Sequence, residues 1–151
     1  MDVDELRDKA ELLASLSDEQ LGVLTPVVGE VTYPASEFLF REDQTAEEFF
    51  IVEKGLVSLE LITPGIEPMV IVSLGPSELV GISWMFPPYK WKWTARAIKD
   101  SQLLVFDAVG VRAQCEEDPE LELVVLQMVA DQAVKRLHST RVQLMDLYES
   151  R

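Results

Sequence analysis

A chain of 151 residues with 48% hydrophobic side chains suits one compact domain with a sizeable core and leaves little room for two. Its 27 Asp and Glu against 13 Lys and Arg give a net charge of -14, which repels a phosphate backbone at long range and argues against nucleic acid as a partner. The one cysteine, Cys115, excludes an internal disulfide, and no run approaches about 18 apolar residues or a basic-then-apolar leader, so the expectation is a soluble, cytoplasmic protein with no membrane partner.

In chain order, residues 5–13 place Leu6, Ala10 and Leu13 at helical spacing, and Ser17 followed by Gln20 reads as a capping box, so short helices are expected over 1–27. Over 28–107 the pattern changes to short runs broken by turn residues: "EVTYPASEFLF", "EEFFIVEKGLVSLELI", "EPMVIVSL", "TARAI" and "QLLVF". That spacing predicts an antiparallel β jelly-roll barrel, in an α+β chain, with Gly55 of "KGLV" in a tight turn that favours positive φ.

Residues 108–151 are expected to be helical. Asp118 can cap, Pro119 suits the first helical position, and Glu120 and Glu122 lie at the positive end of the dipole of a helix of roughly 30 residues. Leu123, Leu126, Ala130, Ala133, Leu137, Thr140, Leu144 and Leu147 form an unbroken heptad seam. At ~1.5 Å per residue the helix outruns the side of a small barrel, which points to a homodimer through Leu126, Ala130, Ala133, Leu137 and Leu144. The alternative is a seam that packs on its own barrel alone.

No catalytic constellation stands out. His138, the one histidine, has no second histidine to make a metal site and no nucleophile near it in sequence. Cys115 sits in "CEEDP", where carboxylates raise a thiol pKa, and "EEDPELE" lacks the spacing of a calcium loop. The reading is a protein that is not an enzyme and that carries no metal and no resident cofactor.

The segment "GISWMFPPYKWKWTARA", residues 81–97, holds all three tryptophans. Strand parity would put Trp91, Trp93 and Ala95 on one face and Lys92, Thr94 and Arg96 on the other. The aromatics are either core filling or the wall of a site for a flat or apolar ligand, with Lys90, Lys92 and Arg96 at its rim.

Taken with the element order, "YPASEFLFRED", "FFIVEKGLVSLEL" and "LGPSELVG" resemble the cyclic-nucleotide-binding domain of the catabolite activator protein and of cAMP-dependent kinase regulatory subunits. The resemblance covers nearly the whole chain as a single domain, residues 1–151. The chain also looks like a group of stand-alone bacterial domains whose cassette reads close to W-x-F-P-P-Y-x-W. The resemblance makes residues 81–97 the phosphate-binding cassette, with Gly81 on the family glycine, Trp84 on the alanine, Thr94 on the threonine and Ala97 a small residue beyond. Two contacts depart from it. The glutamate that meets the ribose 2'-hydroxyl falls on Ile82, and the arginine that forks onto the cyclic phosphate falls on Trp91, whose indole has one donor and no charge.

Further departures are Ser36 for the glycine after "YPA", Glu42, Asp43 and Gln44 for the "E-G-D" turn, and Pro76, Ser77 and Glu78 for the "P-G-D" turn, which weaken a transfer of loop geometry. What remains for an anion is the backbone N–H groups of Gly81, Ile82 and Ser83 at the start of a short helix, and Lys92. Either Trp91 plugs the phosphate site, or a bulge at Trp93 turns Lys92 into it. The site implied is Gly81, Ile82, Ser83, Trp84, Trp91, Lys92, Trp93 and Arg96.

The function implied is a stand-alone regulatory or sensor module, with cyclic AMP or cyclic GMP disfavoured as its ligand, another small molecule in its place, and a protein partner that the sequence does not name. The alternative is a ligand-free interaction domain on the same fold. The catabolite-activator branch carries a DNA-binding domain after its long helix, whereas this sequence ends at Arg151, so direct DNA binding is not expected.

Overall fold

The computed structural model describes residues 1–149. Asp2 caps helix α1 (Val3–Lys9), its Oδ1 accepting from the Glu5 N–H at 2.8 Å. The helix stops at Ala10, which is extended (φ -150, ψ 122), and a 3-10 turn over Glu11–Ser15 follows. The single periodic stretch over 5–13 is therefore split, yet Leu6, Ala10 and Leu13 all stay buried. Helix α2 (Asp18–Leu24) opens with the expected capping box, both Ser17–Gln20 hydrogen bonds being present.

Eight antiparallel strands follow: β1 (Val28–Tyr33), β2 (Phe38–Phe40), β3 (Glu48–Lys54), β4 (Val57–Leu61), β5 (Met69–Leu74), β6 (Leu79–Val80), β7 (Thr94–Ala97) and β8 (Ser101–Asp107). They form two four-stranded sheets, β1-β8-β3-β6 and β2-β7-β4-β5, which is a jelly roll of two sheets rather than one closed ladder. Phe40 of one sheet stacks on Phe50 of the other with ring centroids 6.4 Å apart, and Tyr33 meets Phe50 edge-on at 6.0 Å. Gly55 takes φ +110 with Ser101 packed where a Cβ would go, as the tight-turn reading requires.

The three turn positions at which the resemblance implies glycine take a left-handed backbone. Ser36, Asp43 and Ser77 stand at φ 78, 70 and 68. Each N–H donates to a backbone carbonyl elsewhere in the fold, Ser36 to Ala97 at 2.7 Å, Asp43 to Trp91 at 2.8 Å and Ser77 to Val52 at 2.7 Å. These bonds hold side-chain-bearing residues in a region that glycine enters without strain.

Helix α3 (Ala108–Glu117) leads into α4 (Pro119–Glu149), whose first N–H groups are met by Asp118 Oδ1 at 3.2 Å. The row that packs α4 on its own core is Leu121, Val125, Val129 and Gln132, one step round the helix from the heptad seam. Of the seam, Leu126 and Ala133 are half-buried, Ala130 and Thr140 are exposed, and Leu123, Leu137, Leu144 and Leu147 are exposed large side chains, Leu137 at 71%. Among the described residues no helix is long and apolar enough to cross a membrane.

Candidate functional site

Strand β6 pairs with β3 along one edge. Its other edge is met by α4: the Leu79 N–H donates to Gln132 Oε1 at 3.1 Å, and Arg136 Nη2 donates to the Leu79 carbonyl. Two side chains one helical turn apart thus hold both backbone groups of the residue that enters the cassette.

Beyond Val80 the chain turns at Gly81 (φ +94), and Ser83–Met85 form a single 3-10 turn. Trp84 leaves the cassette towards Phe49 and stacks on it at 3.8 Å and 8°, with its Nε1–H donating to the Gly81 carbonyl at 3.0 Å. Arg112 of α3 donates to the Trp84 carbonyl at 2.6 Å and lies over the Tyr89 ring at 4.0 Å. A turn over 86–89 with a cis Pro87–Pro88 bond is closed by the Tyr89 N–H on the Phe86 carbonyl at 2.9 Å. The loop before β3 then grips the far end, through the Ala46 N–H on Tyr89 at 2.7 Å and the Trp91 N–H on Gln44 at 3.0 Å.

Trp91 is 3% exposed and stacks on Phe40 at 3.8 Å and 11°. Its six-membered ring also rests on Gly81, where an added Cβ would stand 2.4 Å from Cζ3, so glycine is required there both by the positive φ and by the close approach. The indole therefore lies over the cassette glycine. Strand β7 begins only at Thr94, and Lys92 and Trp93 form a bend before it. Parity does not extend back to 91, so the expected shared face of Trp91, Trp93 and Ala95 fails at Trp93, which is 39% exposed. The two placements weighed from sequence coexist: Trp91 is buried, and Lys92 still reaches the cavity wall.

A cavity of about 520 Å³ lies between the cassette and α4. It brings together Gly81, Ile82, Ser83, Trp91, Lys92 and Trp93 with Phe40, Leu59 and, from α4, Ala133, Arg136, Leu137 and Thr140. Trp84 and Arg96 are not among its walls. Arg96 is committed elsewhere, its Nε pairing with the buried Glu60 carboxylate at 2.8 Å, because on β7 it alternates with the buried Ala95. The short helix expected to offer N–H groups to an anion is three residues long, too short to carry a useful dipole.

Sequence reasoning missed Arg136. The available signal was a basic residue one turn after Gln132 on an otherwise apolar face. Burial pushes its guanidinium down to about 10, with the charge of Glu78 acting in the opposite sense, so it stays charged at neutral pH. Lys90, Lys92 and Arg136 are the charged groups of the cavity wall, which contains no Asp or Glu.

The remaining candidates lie away from this cavity. Cys115 is buried, its thiol pushed up to about 11 by burial first and by Glu122 and Asp118 second, and it is not in the thiolate form that reacts. His138 borders a polar groove on another side of α4 with Glu11 and Asp131. Among the described residues no group of three His, Cys, Asp or Glu is placed to hold a metal ion.

A family model for the cyclic nucleotide-binding domain matches residues 30–118. The CRP-like cAMP-activated global transcriptional regulator of Mycobacterium tuberculosis is 23% identical over 145 residues, 96% of this chain. The chain spans 63% of the length of that relative. Among solved structures, a cyclic nucleotide-binding-type protein from Geobacter metallireducens GS-15 matches with a TM-score of 0.82 at 26% identity, over 91% of this chain and 99% of that one. A cyclic nucleotide-binding domain from Methylobacillus flagellatus KT shares the fold with a TM-score of 0.81 at 14% identity, over 95% of this chain and 84% of that one.

Proposed function

The chain belongs to the cyclic nucleotide-binding domain family, and on that premise we propose that it is a regulatory sensor module whose cavity reads a small molecule other than cyclic AMP or cyclic GMP. The observation that carries this is the Trp91 indole lying over Gly81, at the cassette position that the family gives to its phosphate arginine. Ile82 in place of the family glutamate removes the ribose contact as well. The Mycobacterium tuberculosis relative is named as cAMP-activated, and at these two positions this chain lacks the groups that would carry such activation over. The cavity that remains is large enough for a metabolite, within the ~300–1,000 Å³ common for small-molecule sites, and is walled mostly by apolar side chains.

The second part of the proposal is a homodimer through α4. Leu137, Leu144 and Leu147 are turned away from their own barrel, while the adjacent row carries the intramolecular packing. Ala133, Leu137 and Thr140 belong both to this seam and to the cavity wall, so a partner helix on the seam would border the ligand site. The charge of -14 supports the further proposal that these residues do not themselves bind DNA.

A thermal-shift screen tests the sensor reading, since a ligand that binds only the folded state raises the melting temperature. The panel holds cyclic AMP, cyclic GMP and uncharged and charged apolar metabolites. Stabilisation by one or more of the apolar compounds and none by the nucleotides is the expected result. Stabilisation by cyclic AMP alone, or by nothing in the panel, would overturn it.

A further inference from the structure

The charge of the cassette cavity runs against that of the molecule. In a chain with 27 acidic and 13 basic residues, the cavity wall holds Lys90, Lys92 and Arg136 and no carboxylate. The rest of the wall is largely flat and apolar, with Trp91, Trp93 and Phe86 among its faces. An apolar cavity with only positive groups excludes a cationic ligand and leaves a neutral one with unanswered charge.

Arg136 is the cation whose position is fixed by packing. Its Nη2 donates to the Leu79 carbonyl, while its buried Nε has no hydrogen-bond partner among the described residues. Glu78 acts on it through space, and no carboxylate among the described residues forms an ion pair with it. Arg136 is half-buried and lines the cavity, so a carboxylate held there can meet its guanidinium in a charge-assisted hydrogen bond. A phosphate would fit less well, since the family's forked arginine is gone and the place over Gly81 is filled by indole.

Resting on the sensor reading above, we infer that the cavity takes an amphipathic aryl carboxylate, its ring against the Trp91, Trp93 and Phe86 walls and its carboxylate on Arg136, with Lys92 adding charge at the mouth. Gln132 and Arg136 together hold the backbone of Leu79.

The test titrates 2-naphthoate and its neutral counterpart 2-naphthamide into the full chain, followed by calorimetry and by tryptophan fluorescence. The carboxylate should bind roughly tenfold or more tightly than the amide, Arg136→Met should abolish that preference without weakening the amide, and Lys92→Met should reduce it in part. Lys92 is exposed, so that variant folds even if the Arg136 variant does not. Equal affinity for the two probes overturns the anion assignment and leaves a sensor of apolar molecules standing. A preference unchanged in both variants removes Arg136 and Lys92 from the site. Absence of binding by both probes at about millimolar concentration overturns the assignment, and the thermal-shift panel then decides the sensor reading separately.

Discussion

Gly81→Ala reads out the position of the Trp91 ring. Two penalties apply to it. At φ +94 a residue with a Cβ is disfavoured, by about 1–2 kcal/mol. The added methyl would also stand 2.4 Å from Cζ3 and 2.6 Å from Cη2 of Trp91, and that ring is backed by Phe40 at 3.8 Å. Overpacking of this kind costs about 1–3 kcal/mol, giving roughly 2–5 kcal/mol together. Only the second penalty depends on the indole. In Gly81→Ala/Trp91→Leu it disappears, so the double variant should be more stable than the sum of the single ones by about 1–3 kcal/mol. Urea unfolding followed by far-UV circular dichroism measures all four corners of the cycle, provided the m-values agree. Additivity within about 0.5 kcal/mol would place the ring away from Gly81 and remove the ground for a filled phosphate site.

Ser36→Gly relieves a left-handed serine, worth about 1–2 kcal/mol, against about 0.4–1 kcal/mol of added unfolded-state entropy, so Tm should rise by a few degrees and a fall in calorimetric Tm would contradict it. Ser77→Gly should not gain in the same way, because Ser77 Oγ accepts from the Leu12 N–H at 2.9 Å. The folded Cys115 thiol keeps its proton above the unfolded value near 9, so its contribution is complete below pH 9 and is lost as pH rises through about 11. A pH titration of unfolding free energy should therefore fall less steeply over that window in Cys115→Ala, and identical slopes would refute the assignment. Leu137→Asp should split the proposed dimer while leaving the melting of the monomer nearly unchanged, since Leu137 is 71% exposed in the single chain and its burial contributes ~1.5–3 kcal/mol only across an interface. Equilibrium sedimentation that finds the unmutated protein monomeric at tens of micromolar would end that proposal.

Most of the fold was legible because its signals are local. Ser17 with Gln20, Asp118 with Pro119, and the short apolar runs between turn residues are decided within a few positions of the chain. The split at Ala10 was not, since helical spacing of Leu6, Ala10 and Leu13 is compatible with a 3-10 continuation that buries the same residues. At the site, the closeness of Trp91 to the cavity was readable from its place in the sequence a few residues after Gly81. Where the side chains point was not readable, because strand parity applies only inside a strand and β7 starts at Thr94, after the residues in question. Arg96 and Arg136 were exchanged for the same kind of reason. Glu60, 36 residues before Arg96, takes the one out of the cavity, and the docking of α4 through Leu79 brings the other in.

The proposal that the cassette does not take a cyclic nucleotide rests on Ile82 and Trp91 at the two positions the family gives to its ribose and phosphate contacts. Two lost hydrogen bonds to charged groups, at ~1.5–3 kcal/mol each, amount to roughly 3–6 kcal/mol, or about two to four orders of magnitude in affinity before the volume of the indole is counted. Isothermal titration of cyclic AMP into the purified protein is the direct measurement. It should give no binding heat at concentrations up to about 100 μM, whereas a saturable isotherm with a low-micromolar Kd would mean that the cassette holds the nucleotide despite Ile82 and the seated Trp91 ring.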